Sequence, residues 1–309
     1  MKFPLILDQF YQKFLSKKTK ERGEQAILWI ALVSFIIHLS VIALLHFDFI
    51  SISEPSDLLL NPIAAIYTPF SFILVYEVYL LIYYLPKSTS TYISKQYEII
   101  GLIIIRRLFK DLSELTLSPD WFQNANDLQF TYDLAASVLL FYLIYLFHLQ
   151  RTKEYTTIEF DATQSKSIQK FISAKKIIAT LLVPLLMFVA IFSFASWVID
   201  IVREAENNTM TFKNINNIFF EQFFNILIIA DVILLLFSFF HTDKFHSVIR
   251  NSGFIISTIL IRISFSVSGI VNVLMIIGAV LFGLIMLVIH NKYEKQFTKE
   301  KKENYKLEE

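Results

Sequence analysis

Four ionisable residues interrupt otherwise apolar stretches of the chain. Glu77 and Arg106 lie in residues 72–110, FILVYEVYLLIYYLPKSTSTYISKQYEIIGLIIIRRLFK, and Asp231 and Arg262 lie in residues 226–265, ILIIADVILLLFSFFHTDKFHSVIRNSGFIISTILIRISF. An isolated charge at the centre of a bilayer costs at least about 2.5 to 3.5 kcal/mol, so such residues pair with each other or face a watery cavity. A carboxylate exposed to water in one conformation and shielded in another, beside a guanidinium, can take up and release a proton or small cation. The simpler alternative is two static salt bridges that lock neighbouring helices together. Counted from the ends of the expected helices, Glu77 and Arg106 reach similar depth, and Asp231 and Arg262 differ by about 6 Å, which a long guanidinium stem partly bridges. Arg107 is about 100° round the helix from Arg106 and faces elsewhere.

Other chemistries find little support. The chain has no cysteine, which removes disulfides, thiolate metal sites and cysteine nucleophiles. Of its six histidines only His38 is expected well inside the membrane, and no spacing offers it a second ligand for a metal or haem. HExxH, GxSxG and phosphate-loop patterns are absent, so no enzymatic activity is expected. Arg106, Arg107 and Lys110 are too few for a voltage sensor, which repeats arginine at every third position, and no filter-like glycine sequence appears between helices. No cofactor, metal or nucleic-acid partner is expected.

The elements that must position the four charges follow from composition. Hydrophobic residues make up 55% of the 309, including 31 Phe, and several apolar runs approach the length of a bilayer crossing, which places the chain among all-α, polytopic membrane proteins. Expected crossings are residues 25–46, 63–85, 94–115, 130–149, 177–201 and 218–240, followed by a hairpin over 247–290 that turns near Ser266, Ser268 and Gly269. Residues 94–115 carry Glu98, Arg106, Arg107 and Lys110 and could equally lie flat on the surface. Charge decides for a crossing. Six of the 28 Lys and Arg fall in each of residues 1–25, 151–176 and 291–309, and only if 94–115 crosses do these basic segments share one side, the cytoplasmic one. Eight crossings with both termini inside a cell membrane, plasma or bacterial inner, then result. Residues 2–22 alternate Phe3, Leu5, Ile6, Phe10, Phe14 and Leu15 with lysines, a pattern suited to anionic lipid headgroups.

The two charged stretches also resemble each other. Gln12-Lys-Phe-Leu-Ser-Lys-Lys18 is echoed by Gln169-Lys-Phe-Ile-Ser-Ala-Lys-Lys176, Glu77 by Asp231 and Arg106 by Arg262, at offsets of 157, 154 and 156 residues. Residues 1–150 and 151–309 therefore read as two tandem four-helix units, and an even number of crossings per unit makes the repeats parallel. The expected function is transporter- or channel-like: moving or sensing a small ion, proton or solute through the acid and arginine pairs. The rival is a non-transporting membrane scaffold, sensor or complex subunit; the oligomeric state is open.

Overall fold

The computed structural model describes residues 5–49, 62–114, 125–158, 166–206, 215–239, 245–265, 267 and 269–307. Among them there is no strand. The helices are α1 (Leu5–Phe14), α2 (Lys17–His46), a 3-10 turn (Pro62–Ile66) leading into α3 (Tyr67–Tyr84), α4 (Thr89–Glu114), α5 (Ala125–Ile158), α6 (Lys166–Glu206), α7 (Ile215–Phe239), α8 (Phe245–Ser264) and α9 (Gly269–Leu307). The loops expected on the far side fall largely outside the described residues, as do Ser266 and Ser268. Gly269, with φ of +72°, occupies the left-handed conformation at the α8–α9 turn, which glycine adopts without steric cost.

Five helices are long and apolar enough to cross a membrane: α2 and the apolar spans of α5, α6, α7 and α9. The apolar helix α3 is shorter. The remaining two of the eight expected crossings, α4 and α8, are not among the helices apolar enough to cross. No described residue from Thr89 to Asp111 is fully exposed, and the charged Lys95, Glu98 and Arg107 of α4 are partly buried. On α8 the buried face carries His246, Asn251, Ser257 and Ser264, while Ile249, Ile256 and Ile263 form an exposed stripe seven residues apart. Polar inside and apolar outside is the arrangement that hydrocarbon surroundings favour. By contrast α2 buries only Ala31 and Ile42 and exposes Trp29 at 68% and Ile37 at 58%. A continuous apolar surface of that kind is a membrane or partner surface rather than a water-facing one.

Successive helices pack on one another from α2 to α5 and again from α6 to α9, and α5 packs along α9. The centre is aromatic. Tyr97 meets Phe147 edge-on at 5.0 Å, Phe147 lies 5.7 Å from Phe254, and the Tyr97 hydroxyl is 2.7 Å from Ser257 Oγ, which itself donates to the Ala279 carbonyl at 2.6 Å. Gly283 makes room for that hydroxyl, since a Cβ there would lie 1.8 Å from it. Small residues at helix crossings allow this close approach.

The basic arm is folded against this bundle. Ser16 caps α2 by accepting from the Thr19 amide at 3.2 Å, and the buried Leu15 pins the bend between α1 and α2. Tyr79 donates to the Phe14 carbonyl at 2.7 Å and Tyr76 to the Lys20 carbonyl at 3.0 Å, so the tyrosines flanking Glu77 clasp the arm. Tyr11 lies beneath the Lys176 ammonium at 5.3 Å, which joins α1 to α6, and burial there pushes its phenol above the ordinary range.

Candidate functional site

Asp231 sits at the middle of the apolar span of α7, and its carboxylate is 4% exposed. Gln96, on α4, donates to its Oδ2 at 3.1 Å. Tyr92, one turn before Gln96, lies beside the same carboxylate, and Lys175 of α6 is the nearby cation. Lys175 is 5% exposed and donates to the Lys87 carbonyl at 3.1 Å and to Thr89 Oγ1 at 3.3 Å, which ties α6 to the α3–α4 turn. An ammonium so placed is held by neutral oxygens, and the carboxylate by a neutral amide.

Two small cavities, each with room for about one or two waters, flank this carboxylate. The first includes Phe224, Leu227, Thr258 and Arg262; the second includes Thr89, Lys175, Ser238 and Asn251. Because α7 and α8 run antiparallel, these residues place the cavities on opposite sides of Asp231 along the bundle. Among the described residues, Asp231 is the one that lines both.

Arg262 lines the first cavity with Asp231 and donates from Nε to Asn225 Oδ1 at 3.2 Å. Glu77 keeps other company. The charges acting on it are Lys95, Glu98, Glu24 and Lys20, which belong to the layer where the arm meets the bundle. In that layer Lys95 pairs with Glu98, and Glu98 approaches His148 Nε2 at 3.0 Å. Arg106 stands eleven residues beyond Lys95 on α4, about 16 Å further along the axis. The separation arises because α4 begins at Thr89, five residues before the start expected from hydropathy, so Arg106 lies seventeen residues into its helix instead of twelve. His38 Nδ1 is 2.5 Å from Thr68 Oγ1 and fastens α2 to α3.

Arg107, the neighbour expected to face elsewhere, carries the fork-shaped ion pair. Its Nε and Nη2 reach the two oxygens of Asp133 at 2.5 and 2.7 Å, and Nη1 donates to Asn272 Oδ1 at 2.8 Å. Gln129 donates to the same carboxylate at 2.9 Å, and Asn272 donates to the Ser264 carbonyl at 2.6 Å. Asp133 is fully buried, and the network joins α4, α5, α8 and α9. Bidentate geometry with a further donor is what repays the desolvation of such a pair. Sequence reasoning missed Asp133, Gln96 and Lys175. Asp133 sits four residues after Gln129, on one face of α5, and that spacing was its only local signal; Lys175 is indistinguishable in sequence from the surface lysines around it.

A third polar cluster joins α8 to α9. His246 Nε2 is 2.8 Å from Glu294 Oε1, Arg250 Nη1 is 2.8 Å from His290 Nε2, and Asn251 donates to Ser238 Oγ at 2.9 Å.

No protein-family model, curated protein or solved structure matches the chain.

Proposed function

We propose that this multi-pass membrane protein moves or senses a small ion or solute that passes Asp231, at the junction of two tandem parallel four-helix units. The observation that carries the reading is the single buried carboxylate bordering two cavities on opposite sides, held by a glutamine from the other half of the chain. A charged group of this kind is expensive inside a membrane protein and marks substrate and ion pathways. The repeat interface is also where parallel-repeat transporters hold their substrates.

Corresponding contacts support the repeat. Helices α4 and α8 begin 156 residues apart, the offset of Arg106 and Arg262. Ser94 approaches His148 Nδ1 at 3.3 Å in the first half, and Arg250 approaches His290 in the second; the first members are 156 residues apart and the second 142. Gly101 against Phe141 and Ser257 against Gly283 follow the same two offsets. On this reading α3, α4 and α8 cross as well, giving eight crossings with both termini, residues 159–165 and residues 240–244 in the cytoplasm of a plasma or bacterial inner membrane. The exposed Lys13, Lys17 and Lys18 then face anionic headgroups.

A flux assay on the purified protein in sealed liposomes tests the proposal: Asp231→Asn should abolish movement that the parent supports, while Glu77→Gln should retain most of it. A silent parent vesicle, or an Asp231→Asn variant as active as the parent, overturns it. Single cysteines at Asn124, Ser165 and Asn304 test the topology, and labelling of Ser165→Cys from outside intact cells would sink the eight-crossing arrangement. Silence in liposomes would favour the second reading, a subunit of a membrane complex. The apolar surface that α2 exposes nearly all round is the observation in its favour.

A further inference from the structure

The space on either side of Asp231 is of water size. Each flanking cavity has room for about one or two waters, and each carries the polar groups that a buried water needs: Gln96, Thr258 and Arg262 in the first, and Thr89, Tyr92 and Ser238 in the second. Their order along the helices puts the two cavities in line. On α4, Gln96 and Ile100 border the first and Thr89 and Tyr92 the second; on α7, Phe224 and Leu227 border the first and Leu234 and Ser238 the second. The carboxylate, 4% exposed, stands between them, with Gln96 bonded to its Oδ2 at 3.1 Å. Among the described residues, the charged and titratable groups that face it are Tyr92 from α4, Lys175 from α6 and Arg262 from α8.

Size and charge decide what such a site handles. An organic solute has no room, and a metal cation gives up its hydration shell only for several oxygen ligands at once, which one or two water positions beside a single carboxylate do not offer. In the first cavity a metal cation would also stand beside the Arg262 guanidinium, and in the second beside the Lys175 ammonium, whose field Arg250 of α8 reinforces. A proton needs neither volume nor a ligand shell, and its arrival neutralises the carboxylate instead of adding a second ion. We infer that the ion handled at Asp231 is the proton, exchanged with water on both sides of the carboxylate. A water of the first cavity that carries an extra proton gives it to Asp231 and is left neutral; the carboxylic acid so formed gives its proton to a water of the second cavity and is again a carboxylate. One proton has then passed Asp231, and no other atom has.

The inference rests on the reading of Asp231 as the point of passage and names its ion, and the two fail in distinguishable ways. Passage of sodium or potassium without protons would overturn the proton and leave ion movement standing. Silence toward every ion would retire movement, and protonation of Asp231 would then decide for the proton as the ion that is sensed.

Two measurements on the full-length protein test it. In difference infrared spectroscopy of the protein in nanodiscs, lowering the pH should bring up a carboxylic-acid C=O band that shifts in heavy water, is missing in Asp231→Asn and survives in Glu77→Gln. The second measurement is proton uptake by sealed liposomes under an imposed membrane potential, read by a trapped pH dye, with sodium and potassium fluxes followed alongside. The parent should pass protons in preference to either metal ion by at least about tenfold. Thr258→Leu fills the first cavity and Ser238→Leu the second; because the two transfers are in series, each should lower proton uptake by at least about tenfold while the Asp231 band remains. These variants keep the test open if Asp231→Asn does not fold. Absence of an Asp231 band over the whole pH range in which the protein stays folded, metal-ion passage without proton passage, or proton uptake unchanged in both filled variants would overturn the inference.

Discussion

Glu77 and Asp231, which the proposed repeat pairs, have opposite surroundings. Glu77, half-buried on α3, lies among the lysines and acids of the layer where the basic arm packs, while Asp231 is enclosed between α7 and α4 and touched by an amide. The arginines differ too: Arg107 in the first half is locked bidentately to Asp133, and Arg262 in the second lines a cavity with Asp231 and donates to the exposed Asn225. Charge is therefore neutralised within protein in the first half and left beside a cavity in the second. On the proposed repeat, the first half braces the bundle and the second holds a buried carboxylate beside two cavities.

Breaking the brace should have the largest effect. Arg107→Met strands a fully buried carboxylate and should cost about 3 to 5 kcal/mol in denaturation from detergent, whereas Arg262→Met should cost under about 1 kcal/mol. The double variant Arg107→Met with Asp133→Leu should recover much of the loss. Equal costs for the two arginines would erase the contrast drawn between the halves.

The central crossing gives the next effect. Gly283→Ala drives a methyl into the Tyr97 hydroxyl and should destabilise by about 1 to 3 kcal/mol, while Gly278→Ala, with nothing within 4 Å, should be near neutral. Adding Tyr97→Phe to Gly283→Ala should return part of the stability, measured by the same melts.

The smallest effect sharpens the contrast at the two basic segments. Ser16 and Ser173 hold the same place in the repeated Gln-Lys-Phe motif, but Ser16 caps a new helix and Ser173 lies inside the unbroken α6. Ser16→Ala should cost about 1 kcal/mol and loosen the arm, which limited proteolysis after α1 would report, and Ser173→Ala should change stability by less than about 0.5 kcal/mol.

Much of the architecture was legible in the linear chain because hydrocarbon surroundings impose a length and a composition on each helix. The apolar runs beginning near residues 25, 130, 177 and 218 correspond to helices, and the hairpin turns at Gly269 as its spacing implied. Helix ends were less legible, since α2, α5, α6 and α9 continue as polar helix beyond their apolar spans, where hydropathy carries no signal.

The identity of the exceptional residues was also determined by sequence, because a carboxylate such as Asp231 in an apolar run is conspicuous whatever the fold. Its partners were not. Gln96 lies 135 residues from Asp231, Asn272 lies 165 from Arg107, and Lys175 reads as one more lysine of a basic linker until α6 turns it inward. Which polar groups meet depends on how far each helix extends and on which face it turns to its neighbours. An early start of five residues moves a side chain about 7.5 Å along the axis, more than the reach of a hydrogen bond. Hydropathy located the apolar helices; their depth and rotation, and so the choice of Asp133 for Arg107 and of Gln96 for Asp231, came from packing between segments far apart in the chain.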